Sequence, residues 1–141
     1  MIKFIQKNAV YIILAQVIIA ILGSLYFSDI KGYEPCILCW YQRICMYSLF
    51  PIIIIAKMRN ESKLYQYILP ISILGFIIAT YHNLLYYGFI KFIFCTTGIS
   101  CTSKYVEYLG FISIPLMSLI GFAFIILMSL IDMNYSKKNN K

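Results

Sequence analysis

Charged residues divide this chain into long uncharged stretches of mostly apolar side chains. Three of them, residues 8–28, 64–90 and 108–131, contain no Asp, Glu, Lys or Arg. Each is longer than the roughly 20 residues that a helix needs to cross a hydrocarbon core of about 30 Å. A fourth apolar stretch has the same length but contains Arg43. The pattern therefore predicts an all-α integral membrane protein built as a bundle of four transmembrane helices. The predicted spans lie near residues 8–28, 36–56, 66–88 and 110–131.

The composition leaves no room for a separate soluble domain. The chain is 62% hydrophobic and only 12% charged, which is too apolar for a water-soluble domain of 141 residues. We expect one membrane domain covering residues 1–141. The first apolar stretch exceeds the roughly 7–15 residues of a signal-peptide core, and no Ala-x-Ala-like site follows it. We therefore expect this first span to remain attached.

The distribution of cations predicts the orientation in the membrane. With four spans, the N-terminus, the loop between spans two and three, and the C-terminus share one side. Eight cations lie on that side, whereas the two opposite loops carry only Lys31, Lys91 and Lys104. The positive-inside rule then places both termini in the cytoplasm. The net charge of +7 is explained by this topology and by contact with anionic lipid headgroups, so no nucleic-acid partner is expected.

Two pairs of cysteines fall on the opposite, extracytoplasmic side. Cys36 and Cys39 open the second span, and Cys95 and Cys101 lie between the third and fourth spans. Disulfides persist outside the cytoplasm, where glutathione and thioredoxin do not reduce them. Two dithiols on one side indicate that electrons pass from one dithiol to the other and then into the lipid. The fifth cysteine, Cys45, lies on another helix face and has no predicted role.

The Cys-x-x-Cys pair has an environment suited to thiol exchange. The first turn of a helix presents unpaired N–H groups and the positive end of the dipole, which favour a thiolate at Cys36 or Cys39. The alternative is an inert disulfide or two buried thiols. Arg43 comes four residues after Cys39, so both share one helix face, about 40° apart. Its charge could hold a thiolate or a polar head group beside Cys39, or it could be a snorkelling interface anchor.

Two further features are open to both a structural and a functional interpretation. His82 is the one histidine of the chain and lies in the third span. It is either a hydrogen-bonded core residue or an intramembrane functional group. A disulfide between Cys95 and Cys101 could close a small ring, with Gly98 allowing the turn. Either a partner thiolate can reach this disulfide, or the disulfide only stabilises the loop. The aromatic residues of this loop predict a segment lying on the headgroup region.

The motif Pro-Cys-Ile-Leu-Cys-Trp-Tyr-Gln-Arg at 35–43 resembles the DsbB/BdbC family of disulfide bond formation proteins. The second cysteine pair and the segment Phe-Ile-Ser-Ile-Pro at 111–115 add to the likeness, and the short length resembles the small BdbC-like branch. The resemblance implies a four-helix bundle in the bacterial cytoplasmic (inner) membrane. It also implies that the protein reoxidises a DsbA/BdbD-like thioredoxin-fold thiol oxidase. The electrons would pass to a membrane quinone, and the sequence leaves open whether this is ubiquinone or menaquinone.

The resemblance also implies a role for each residue. Cys95 would be attacked by the partner's thiolate, and the released Cys101 would then attack Cys36. Cys39 would be left as the thiolate that engages the quinone, next to Arg43. His82 stands where the family places a histidine close to the quinone. The larger members have a longer gap between their loop cysteines than the five residues found here, so the relay would depend on movement of the whole loop.

Two other interpretations fit part of the pattern. Vitamin K epoxide reductase-like proteins also have four spans and use quinone, but their loop pair usually comes before the Cys-x-x-Cys, the reverse of the order here. Alternatively, all four paired cysteines could hold a tetrahedral metal ion. An oxidising compartment disfavours four free thiolates, and metal content with thiol titration would separate the two cases.

Overall fold

The computed structural model describes residues 2–61, 63–89 and 113–139. Within these ranges the chain is helical, with no strand. The four long helices are α1 (Ile2–Leu25), α2 (Ile37–Met58), α3 (Tyr65–Tyr86) and α4 (Ile114–Asn139). A five-residue π-helical turn, Tyr26–Ile30, extends α1. Each helix contains a segment long and apolar enough to cross a membrane, which confirms the predicted all-α, four-span architecture.

The helices pack in the order of the chain around a common core. Both α1 and α3 contact α2 and α4, which closes a four-membered ring of antiparallel neighbours. On α1 the fully buried residues Ala9, Ile13 and Val17 recur every four positions, as expected for one face of a helix. They meet Leu49 and Ile53 of α2, and Ile68, Ala79, Phe122 and Ile125 complete the same cluster.

The outward faces of the helices carry many large apolar side chains. Ile19, Leu22, Ile77, Ile120 and Leu127 are all more than half exposed. An apolar surface of this extent is unfavourable in water but suits contact with lipid tails. The bundle is therefore that of a multi-pass membrane protein, which agrees with the sequence prediction.

Helices α3 and α4 are in close contact at Gly75. A Cβ atom built on Gly75 would overlap the ring of Phe122. Phe122 is almost completely buried, so its ring has little space to move. The contact follows the general pattern of membrane bundles, in which small residues allow two backbones to come close.

Helices α2 and α4 both begin at the end of the bundle opposite the termini. Ser113 precedes α4 and accepts a hydrogen bond from the Leu116 N–H over 3.4 Å. From α3, the Asn83 side-chain amide donates to the Pro115 carbonyl at 2.8 Å, which ties the start of α4 to α3. Pro115 lies in the first turn of α4, as the sequence indicates, because no N–H is needed there.

Residues 90–112, between α3 and α4, lie outside the described part of the chain. The predictions that concern Cys95, Cys101 and the aromatic interfacial segment fall there. Helix α3 ends at Tyr86, two residues before the predicted boundary, and Gly88 follows with a φ of 77° that favours glycine. Helix α4 begins at Ile114 and extends past the predicted boundary to Asn139.

Candidate functional site

Cys36 caps the N-terminus of α2, and Cys39 lies in its first turn. The backbone of Cys36 is extended, with φ −69° and ψ 168°, and its Sγ accepts a hydrogen bond from the Cys39 N–H over 3.4 Å. This is the geometry of a helix N-cap, in which a side chain turns back to a free N–H of the first turn. It brings the two Sγ atoms to 3.2 Å, so the structure shows the reduced, dithiol form of the pair. The Cys-x-x-Cys spacing alone produces this contact.

His82 approaches the same sulfur from α3. Its Nε2 lies 3.7 Å from Cys36 Sγ, and its Nδ1 lies 3.1 Å from Nε2 of Gln42. If Nδ1 accepts from the Gln42 amide, the ring proton is on Nε2 and points at the sulfur. His82 is 1% exposed and Gln42 is 7% exposed, so water competes little for these contacts. The orientation of the Gln42 amide and the tautomer of His82 are therefore coupled: when the amide donates to Nδ1, His82 donates from Nε2 to Cys36 Sγ.

Gln42 is a site residue to which sequence reasoning gave no role. The sequence held one indication of such a role: an amide side chain buried in a membrane span needs a hydrogen-bond partner. However, its partner lies 40 positions away on another helix. The pairing was therefore not visible in the sequence motif.

The contacts around Cys36 favour its thiolate. The hydrogen bond between the two Sγ atoms has the largest effect, and with His82 it holds the pKa of Cys36 below the ordinary value for a thiol. Burial opposes this shift, because it disfavours the charged form, but it does not reverse it. The contacts of the reduced pair thus favour the thiolate at Cys36. The prediction that Cys39 carries the charge beside the quinone concerns a later state and stays a prediction.

We expect Cys39→Ala to raise the pKa of Cys36 and to slow its alkylation at mildly acidic pH. A low pKa keeps the reactive thiolate present as pH falls below about 8.5, the usual thiol value. Removing the Cys39 donor removes the largest cause of that shift. The measurement is the rate of iodoacetamide modification of Cys36 between about pH 5 and pH 9, in protein lacking Cys45, Cys95 and Cys101. Identical pH profiles with and without Cys39 would contradict the assignment of the charge.

Arg43 connects the site to α1. Its Nη2 donates to the Ser24 carbonyl oxygen at 2.9 Å, and its guanidinium lies 5.7 Å from the centre of the Trp40 ring. Ser24 is in the last turn of α1, just before the π-helical turn. Arg43 and Cys39 both line one cavity between the helices, so the guanidinium charge lies beside that cavity. Both the functional and the snorkelling interpretation of Arg43 stay predictions.

A cavity of about 340 Å³ opens beside the cysteine pair. One wall is polar and carries the site: Cys36, Cys39, Gln42, Arg43 and His82. The facing walls come from α1 and α4 and are mainly apolar: Ile19, Ala20, Ile114, Pro115, Met117 and Phe122. A cavity of this size, apolar with a few convergent polar groups, is typical of a small-molecule site.

Tyr47 contributes an unpaired polar atom to the cavity wall. Its hydroxyl oxygen is buried, and no hydrogen-bond partner reaches it from the described residues. Burying a hydroxyl without a partner costs on the order of 1–3 kcal/mol. A hydrogen bond from this hydroxyl to a ligand would offset that cost.

The remaining cysteines do not join this cluster within the described structure. Cys45 packs in the main hydrophobic core, on a different face of α2 from Cys39, as the helical spacing indicates. Cys95 and Cys101 lie outside the described residues, so the four-cysteine metal site remains untested. The structure brings together four of the six predicted site residues, Cys36, Cys39, Arg43 and His82, around one cavity.

Comparison with known proteins gives a consistent result. Residues 6–131 match the family described as "Disulfide bond formation protein DsbB". Disulfide bond formation protein C of Bacillus subtilis is 41% identical over 127 residues, which cover 86% of this chain and 92% of that protein. The probable disulfide formation protein C 1 of Bacillus cereus is 39% identical, covering 89% of this chain and 92% of that protein. No solved structure matches the chain significantly.

Proposed function

Because this chain belongs to the DsbB family of disulfide bond formation proteins, we propose that it reoxidises a thioredoxin-fold thiol oxidase of the DsbA/BdbD type and passes the electrons to a membrane quinone. The family and the four spans support a membrane protein that oxidises thiols. The proposal adds that it lies in the bacterial cytoplasmic membrane with both termini inside and both cysteine pairs outside. Disulfides in extracytoplasmic proteins would be the final product.

The reaction is balanced as two linked thiol–disulfide exchanges. The partner's thiolate attacks Cys95, forms a mixed disulfide and releases Cys101 as a thiolate. Cys101 attacks Cys36, which breaks the Cys36–Cys39 bond and releases Cys39. The partner's second thiolate then frees Cys95 by closing the partner's own disulfide. Attack of Cys95 on Cys101 restores the loop disulfide and leaves Cys36 and Cys39 reduced.

The contacts of Cys36 support this relay. Because His82 Nε2 and the Cys39 N–H both point at Cys36 Sγ, this sulfur is a stabilised leaving group when its bond to Cys101 breaks. While Cys36 is bonded to Cys101, it cannot hold that charge, and Cys39 carries the thiolate instead. Arg43 lies on the same helix face as Cys39 and supplies a fixed positive charge on the cavity wall. This arrangement is the observation that carries the proposal.

The cavity residues fit a quinone head group. Apolar walls from α1 and α4 suit the ring, and the guanidinium of Arg43 has five N–H donors, of which the Ser24 bond uses one. The buried Tyr47 hydroxyl can donate to a carbonyl oxygen. A bound quinone would supply the acceptor for two electrons and two protons, which regenerates the Cys36–Cys39 disulfide. Arg43, Tyr47 and His82 would hold and orient it beside Cys39.

The test is quinone reduction by the purified protein in detergent, supplied with a reduced thioredoxin-fold thiol oxidase. We expect one quinol formed for each oxidase disulfide, with either ubiquinone or menaquinone as acceptor in parallel reactions. Oxidation of the partner that does not depend on quinone would contradict the proposal. The absence of both reactions, with stoichiometric metal on the four paired cysteines, would favour the metal-site alternative.

Tyr47→Phe should raise the KM for quinone by roughly two- to tenfold with little change in kcat. The substitution removes one hydroxyl, and a lost hydrogen bond of about 0.5–1.5 kcal/mol corresponds to roughly two- to tenfold in affinity. The fold should be unaffected, because no described residue bonds this hydroxyl. The measurement is initial rate against quinone concentration at saturating thiol oxidase. Tyr41→Phe, at a half-exposed position of the same helix, is the control; an unchanged KM in Tyr47→Phe would place its hydroxyl away from the ligand.

A further inference from the structure

Three groups that commonly bind metal ions converge at the start of α2. The Sγ atoms of Cys36 and Cys39 and a ring nitrogen of His82 all lie within 4.8 Å of one another. Two thiols and one imidazole form the Cys₂His donor set of catalytic zinc sites, which leave a fourth position open. We propose that the reduced protein binds one Zn²⁺ through Cys36, Cys39 and His82, and that the bound ion blocks re-formation of the Cys36–Cys39 disulfide.

The distances require only small adjustments. With Zn–S of about 2.3 Å and Zn–N of about 2.0 Å, tetrahedral angles place the two sulfurs about 3.8 Å apart and sulfur and nitrogen about 3.6 Å apart. The structure has 3.2 Å between the sulfurs and 3.7 Å between Cys36 Sγ and His82 Nε2. The sulfurs must move apart by about 0.6 Å. The remaining pair, Cys39 Sγ and a His82 ring nitrogen, lies within 4.8 Å and must come to the sulfur–nitrogen distance given above. Both changes move Cys39 Sγ, and a side-chain rotation of Cys39 supplies them.

The surroundings supply the other parts of a zinc site. A ligating His82 must carry its proton on Nδ1, and Gln42 lies 3.1 Å away to accept it once its amide turns over. Oxygen and nitrogen of an amide exchange places without any change in packing volume. Cys39 is the more exposed of the two cysteines and lines the cavity, which provides an entry path and room for a water at the fourth position.

Zinc binding and the disulfide exclude one another. Each thiol gives up its proton as its sulfur bonds to the ion, and no electron is transferred. The disulfide would require a bond between the same two sulfurs of about 2.05 Å. The ion therefore binds only the two-electron-reduced state. Zinc would stop turnover at that state and would be released when the pair is oxidised.

The experiment uses full-length protein with Cys95→Ser and Cys101→Ser, so that the loop cysteines cannot contribute ligands. Reduced protein in detergent is titrated with Zn²⁺ against a chromophoric chelator under anaerobic conditions. We expect one ion per chain in reduced protein and none after oxidation. Bound zinc should also protect Cys36 and Cys39 from alkylation, and Co²⁺ in its place should give the absorption bands of a tetrahedral thiolate site.

Variants locate the ligands. His82→Ala should weaken zinc binding at least tenfold, and Cys39→Ser should abolish it. Cys45→Ser, which removes a core cysteine outside the cluster, should leave it unchanged. Circular dichroism of the helices and gel filtration show whether each variant folds. If His82→Ala does not fold, zinc binding by Cys39→Ser tests the proposal instead. Equal binding to oxidised protein, no binding to reduced protein, or full binding by Cys39→Ser would each overturn the proposal. None of these readouts uses quinone, so they are independent of the proposed function.

Discussion

Replacing Cys39 by serine should reduce quinone reduction by at least about 1000-fold. The hydroxyl of serine cannot form the Cys36–Cys39 disulfide, so the two electrons have no path from the loop pair to the quinone. The geometry makes the loss specific, because Cys39 is the cysteine that both contacts Cys36 Sγ at 3.2 Å and lines the cavity beside Arg43. The measurement is quinol formation with a reduced thioredoxin-fold thiol oxidase as electron donor.

Cys95→Ser and Cys45→Ser complete this experiment. Cys95→Ser should block the first attack by the partner and lose activity to a similar extent. The two inactive variants should differ on non-reducing gels. In Cys39→Ser the Cys36 thiolate can attack the Cys95–Cys101 disulfide, which forms a lasting bond to Cys101 and releases Cys95 as a thiolate. Cys45→Ser should keep activity close to wild type, since Cys45 packs in the core away from the cavity. Turnover by Cys39→Ser at near the wild-type rate would refute the relay.

Among glycine-to-alanine substitutions in the described helices, Gly75→Ala should destabilise the bundle most. The added Cβ overlaps the ring of Phe122, and a buried aromatic ring between two helices has little freedom to move. Overpacking of this kind costs roughly 1–3 kcal/mol, against a gain of up to about 1 kcal/mol in helix propensity. The expected result is a lower midpoint of thermal unfolding in detergent.

Gly121→Ala is the matched control on the facing helix. A Cβ there meets only the Gln16 side chain at 3.6 Å, an ordinary contact distance, so stability should be unchanged or slightly higher. Combining Gly75→Ala with Phe122→Leu should cost less than the sum of the two single changes, because the smaller side chain removes the overlap. Additive effects, or a Gly75→Ala protein as stable as wild type, would show that α3 and α4 do not meet at this point.

Most of the architecture followed from one physical constraint on the sequence. In lipid, every backbone N–H and C=O needs an internal partner, so an uncharged apolar stretch of about 20 residues has to become a helix. Three such stretches and a fourth whose only charged residue is Arg43 predicted four spans, and the described part of the structure has four long helices in the corresponding places. The Cys-x-x-Cys contact was equally local. At a helix start, the spacing alone brings the second cysteine's N–H to the side chain of the first.

The sequence by itself therefore determined the helices, the cysteine pair and, through the motif at 35–43, the family. Only the tertiary structure decided which groups surround Cys36. His82 reaches it from 46 positions away, Gln42 fixes the imidazole across two helices, and Arg43 is anchored on the Ser24 carbonyl of α1. These contacts depend on how far each helix is rotated about its own axis and where it ends. Nearly uniform apolar helices carry little information about that rotation, because lipid and protein interior are equally apolar; buried polar groups and close contacts such as Gly75 against Phe122 set it instead.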